Sequence, residues 1–131
     1  MILVDTSVWI DFFKGIKSRE EVILRKLIEE GEDICITGII LTEILQGIKK
    51  DYKYKEVKKF LLSLPIFLPK KETYIKAAEI YRECRKVGIT IRSTIDCLIA
   101  QVAIENNLIL LQKDRDFDKI AKIIKKLKLI P

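Results

Sequence analysis

The sequence predicts a doubly wound α/β fold, a three-layer α/β/α sandwich around a central parallel sheet. Three observations carry this. ILV, DICIT and NLILLQ are short apolar runs, the signature of strands buried on both faces. Longer amphipathic stretches lie between them. The two kinds alternate throughout, which favours parallel strands covered by helices on either side.

Ile2–Val4 is the first strand. A short helix follows from about Ser7 to Lys14, closed by Gly15. Ser18 can cap the next helix, SREEVILRKLIEEG, whose early acids suit the helix dipole and whose Val22, Leu24, Leu27 and Ile28 form an apolar face. DICIT is the second strand, and its Thr37 can cap GIILTEILQGIKK. A helix from about Tyr52 to Ser63 stops before Pro65, and IFL is a short strand. KETYIKAAEIYRECRKVG is a long amphipathic helix ending at Gly88. STIDCLIAQVAIENN is apolar nearly all round, as a central buried helix should be. NLILLQ is the third clear strand, DRDFDKIAKIIKKL the last helix, and Lys128–Ile130 an edge strand.

The 131 residues are expected to form one domain, 1–131, and with 49% apolar residues they can bury a core without disulfides or a structural metal. No apolar run is long enough to span a membrane, and Asp5 interrupts the first one before it can serve as a signal core, so a cytoplasmic location is expected. Cys35, Cys84 and Cys97 show no metal or redox spacing and read as small core residues. Histidine is absent, which removes Ser-His and Cys-His catalysis and imidazole metal ligands together. The net charge of +6 leans toward an anionic partner, although the Lys, Glu and Ile enrichment also matches thermophile composition.

Asp5 ends the first strand, Glu43 follows the second by two turns, Asp96 opens the buried helix, and Asp114 and Asp116 follow the third clear strand. In a parallel sheet these points share the carboxyl edge, where ligands bind. Capping explains most of them singly. Asp5 and Asp114 can cap helices, and Ser93 with Asp96 fits a capping box. Glu43 resists that explanation, because it lies past the first turn in an apolar stretch. Several carboxylates at one place repel each other unless a cation joins them, and hard oxygen ligands without histidine select Mg²⁺ or Mn²⁺. Such sites do phosphoryl chemistry.

The stretches ILVDTSVWIDFFKG, LTEILQGI and TIDCLIAQVAIENNLILLQKDRDFDKI, in this order, resemble the PIN-domain ribonucleases, in particular the VapC-type toxins of toxin–antitoxin pairs. The resemblance implies a cytoplasmic endoribonuclease with an acidic site for Mg²⁺ or Mn²⁺. By it, Asp5, Glu43 and Asp96 are the first three acids. Asp114 is the preferred fourth and Asp116 the second choice. Thr6 matches the hydroxyl that orients the first acid or a bound water. An RNA substrate, a cognate antitoxin partner and a homodimer are also implied, with no membrane partner. Lys49, Lys50, Lys53, Lys70 and Lys71 are candidates to track an RNA backbone, and the helix near Tyr52–Leu64 to receive the antitoxin. Gln101 stands where the family often has a small residue.

Two alternatives stay open at this point: a PIN nuclease of RNA processing, and a non-catalytic RNA-binding or scaffold module in which the acids are only caps. A receiver domain or a haloacid-type phosphatase is disfavoured, because ILVDTS lacks both paired acids and a D-x-D sequence.

Overall fold

The computed structural model describes residues 1–131. In chain order the elements are β1 (Ile2–Val4), α1 (Thr6–Lys14), α2 (Arg19–Glu29), β2 (Ile34–Thr37), α3 (Gly38–Gln46), α4 (Asp51–Leu62) and β3 (Ile66–Phe67). Then come α5 (Lys71–Lys86), α6 (Thr94–Glu105), β4 (Ile109–Leu111), α7 (Arg115–Ile123) and β5 (Lys128–Leu129). All strand pairs are parallel, in the order β3-β2-β1-β4-β5. Helices α1–α4 pack on one another, as do α5–α7, giving the two outer layers of the expected sandwich.

Local chemistry sets the element ends. Gly15 closes α1 with φ of 71°, a left-handed conformation that glycine adopts without a Cβ clash. The Ser18 hydroxyl accepts from Glu21 N at 3.1 Å, and Thr37 Oγ1 from Ile40 N at 3.2 Å, so both expected caps form. Helix α6 is the most deeply enclosed helix, with a continuous buried run from Asp96 to Ala103.

The structure corrects the reading at several points. Helix α3 stops at Gln46 rather than Lys50, because Gly47 is a poor helix former and the exposed Lys49 and Lys50 bring no apolar face to extend it. Helix α7 stops at Ile123, where Ile124 turns extended and hands the chain to β5. Val22 is 47% exposed and Ile23 packs inward instead, since Val22 lies about 200° around the helix from the buried Leu24.

Trp9 is fully buried and joins β1 to α1. Its Nε1 donates to Val4 O at 3.1 Å, its ring stacks on Phe13 at 5.7 Å, and it meets Phe12 and Phe60 edge-on at 5.8 Å each. Ile10, on the other side of α1, is left partly exposed. All three cysteines are buried, and burial pushes the Cys35 and Cys97 thiols up to about 12, which keeps them unreactive.

Candidate metal centre

From β1 the chain winds outward through β2 to β3, and from β4 outward the other way to β5. The winding therefore reverses between β1 and β4, and the crevice at their carboxyl ends is the natural ligand site. Asp5 stands there, its N–H donating to Leu111 O at 2.9 Å. Asp114 follows the end of β4 and caps α7, its Oδ1 accepting from Asp116 N at 2.9 Å.

Carboxylate oxygens of Asp96, Asp114 and Asp116 lie within 4.8 Å of one another. Asp96 is released to this cluster because the expected capping box is not made: Ser93 flanks α6 without a side-chain hydrogen bond. Asp116 is 1% exposed, and its Oδ2 accepts from Arg92 N at 3.0 Å. Its Oδ1 has no hydrogen-bond partner, and Lys119 Nζ, at 3.7 Å, is too far to supply one.

Asp5 and Glu43 sit outside this closest trio, yet both charges act on Asp96. Burial, followed by the charges of Asp114, Asp5, Asp116 and Glu43, pushes the Asp96 carboxyl up to about 7. Burial also raises Asp5, and Glu43 adds to this against the opposing hydrogen bonds of Ser7. The structure thus brings all five sequence-selected acids into one electrostatic neighbourhood.

The hydroxyls divide differently from expectation. Thr6 Oγ1 donates to Glu43 Oε1 at 2.7 Å and not to Asp5, because Thr6 already faces α3 at the start of α1. Ser7 holds Asp5 instead, its Oγ donating to Asp5 Oδ2 at 2.6 Å. The D-x-S spacing signals such a turn, and the sequence reading passed over it. Two further neighbours went unnoticed. Lys113, beside Asp114, is paired with the buried Asp11 of α1 and fixes the β4–α7 connection. Arg92 brings its guanidinium to Asp114 and Asp116, with Nη2 3.5 Å from Asp114 Oδ1 and Nε 3.4 Å from Asp116 Oδ2.

A cavity of about 370 Å³ opens beside Glu43 between α1 and the α3–α4 connection. Ile10, Phe13, Ile44 and Ile48 line it, and Lys49, Lys50 and Lys53 rim it. It meets the Tyr52–Leu64 segment, which the sequence suggested for a groove, only at Lys53. Lys70 and Lys71 do not line it.

A parallel α/β/α sandwich with carboxylates gathered at its switch point, and a net positive chain around them, is the architecture of a carboxylate-site nuclease. A family model described as PIN domain matches residues 2–123. VapC ribonuclease Mb1587 of Mycobacterium bovis and Ribonuclease VapC11 of Mycobacterium tuberculosis are each 38% identical over 125 residues, 94% of this chain and 93% of theirs. The chain belongs to the PIN-domain family and, within it, to the VapC ribonucleases. Solved structures show the same fold. VapBC2 from Rickettsia felis, bound to a DNA fragment from its promoter, matches with a TM-score of 0.76 at 24% identity, covering 99% of this chain and 98% of that one. VapBC-1 from nontypeable Haemophilus influenzae matches with a TM-score of 0.75 at 17% identity, covering 99% and 97%. No helix is long and apolar enough to cross a membrane.

Proposed function

We propose that this single domain, 1–131, is a divalent-cation-dependent endoribonuclease acting in the cytoplasm as the toxin of a type II toxin–antitoxin pair. The observation that carries the reading is the buried Oδ1 of Asp116, which accepts no hydrogen bond, within the Asp96, Asp114 and Asp116 cluster. Burying a carboxylate oxygen without a donor is costly, and three acids at this spacing repel. A cation among them resolves both problems. The all-oxygen donor set fits Mg²⁺ or Mn²⁺.

Asp96, Asp114 and Asp116 would hold the ion, with Asp5 completing the set. The orphaned oxygen favours Asp116 as a full ligand beside Asp114, rather than as its substitute. The bound ion supplies Lewis-acid polarisation of the phosphodiester and makes a nearby water more acidic. Ser7 fixes one oxygen of Asp5. Thr6 fixes one oxygen of Glu43 and leaves Oε2 to accept a proton from the attacking water. Lys49, Lys50 and Lys53 offer charge to the RNA backbone. The apolar cavity between α1 and the α3–α4 connection is the surface offered to the antitoxin, and a homodimer is the expected assembly.

In-line attack by water leaves a 5′-phosphate and a 3′-hydroxyl and needs no 2′-hydroxyl. Mapping the ends of RNA cut by the purified protein is expected to show these termini. A 2′,3′-cyclic phosphate would mean that the RNA's own hydroxyl is the nucleophile, and would overturn the mechanism.

A further inference from the structure

We propose that Arg92 is a resident cation of the acid cluster. Its guanidinium neutralises Asp114 and Asp116 when no divalent ion is bound, and turns to the scissile phosphate when one is. This rests on the reading of the cluster as the metal site.

Arg92 has two separable attachments to the cluster. Its main-chain N–H donates to Asp116 Oδ2 at 3.0 Å, and the neighbouring Ile91 is buried in the core, so the backbone is fixed. The side chain is held loosely by comparison. It is 71% exposed, and its two carboxylate contacts, at 3.5 and 3.4 Å, are charge contacts too long for good hydrogen bonds. A monovalent cation so exposed is a weak partner for two acids. A divalent ion ligated directly by the same two carboxylates outcompetes it.

The displaced guanidinium cannot travel far, because its Cα is anchored at the mouth of the site. Once the acids are neutralised, the anion presented there is the RNA phosphate. Arginine suits that role, since its planar fork stays charged and matches phosphate oxygens in pairs. Lys119 is the other cation beside the cluster, but it approaches only Asp116, from within α7. The main-chain anchor means that truncating Arg92 leaves Asp116 in place. Removing the side chain therefore tests its charge and not the integrity of the cluster.

The experiment is a calorimetric Mn²⁺ titration of the wild type, Arg92→Ala and Arg92→Gln, beside RNA turnover of each, with folding checked by circular dichroism. Both variants are expected to bind Mn²⁺ about 3- to 10-fold more tightly, the competition from an exposed ion pair being modest. Turnover is expected to fall about 10- to 100-fold, because a charge facing the phosphate is gone. A merely structural clamp would give the opposite sign, with weaker Mn²⁺ binding on truncation. Equal or weaker Mn²⁺ binding in the variants overturns the proposal, as does tighter binding with unchanged turnover. If the wild type itself takes up no Mn²⁺, the metal-site reading falls and this proposal with it. Binding by the wild type with no gain in the variants defeats this proposal alone.

Discussion

Replacing Asp96 with Asn is expected to reduce RNA cleavage by at least about 10²- to 10³-fold, and at the same time to stabilise the metal-free protein at pH 7.5. Both effects follow from one cause. Asp96 is buried beside Asp114 and Asp116, and burial, followed by the charges of Asp114, Asp5, Asp116 and Glu43, pushes its carboxyl up to about 7 from an ordinary value of 3.8. Below 3.8 the group is protonated in the folded and the unfolded chain alike. As the pH rises toward 7, the unfolded chain gives up the proton while the folded protein keeps it, so the metal-free fold loses stability across that window. Above about 7 the loss is complete and stays constant. Solvent at the open mouth of the site screens part of it, leaving about 1–2 kcal/mol. Asn carries no charge to bury, so position 96 adds no pH dependence in the variant, and the gain over wild type grows as the pH rises from 3.8 to about 7. Denaturant unfolding at pH 5 and 7.5, without metal, measures it. Asp118→Asn is the control, since Asp118 is exposed and bonded only to Gln112, and it should cleave like wild type. Full activity in Asp96→Asn would remove Asp96 from the chemistry.

Trp9→Ala carries the largest expected loss of stability, about 3–5 kcal/mol. The indole is fully buried, packs on Phe12, Phe13 and Phe60, and ties α1 to the last residue of β1 through Val4 O. Truncation opens a cavity among those rings and leaves the Val4 carbonyl without its donor. A domain of this size has about 5–15 kcal/mol in total, so the substitution consumes a large share. Trp9→Phe keeps most of the packing and loses the hydrogen bond, for a loss of about 1–2 kcal/mol. Urea unfolding followed by circular dichroism separates the two, and is required because Trp9 is the only tryptophan. A loss under about 1 kcal/mol for Trp9→Ala would mean that the aromatic cluster does not anchor α1.

The sandwich was legible because its signals are local. ILV, DICIT and NLILLQ announce buried strands by composition alone, and Gly15, Ser18 and Thr37 act as caps through contacts within one turn. Strand order was not legible, since β3 and β5 have two paired residues each and depend on what β2 and β4 offer them. The acids were visible as a set because each follows a strand or opens a helix. Their partners were not. Ser93 and Asp96 have the spacing of a capping box, but the neighbouring carboxylates and the burial of Asp96 decide the outcome, and both come from elsewhere in the chain. Thr6 is expected to orient Asp5 or a bound water, and the fold presents its hydroxyl to Glu43 on α3. Arg92 lies in an unremarkable stretch, and only the folded chain sets it against Asp114 and Asp116.

The central claim is that the acids at the β1–β4 crevice hold a divalent ion that enables RNA cleavage. The most direct measurement is cleavage of structured and unstructured RNA by the purified protein with Mg²⁺, with Mn²⁺ and with EDTA, beside Asp5→Asn. Cutting that requires the ion, stops in EDTA and is lost in Asp5→Asn is the predicted result. Cutting that persists in EDTA, or in Asp5→Asn at the wild-type rate, would contradict it.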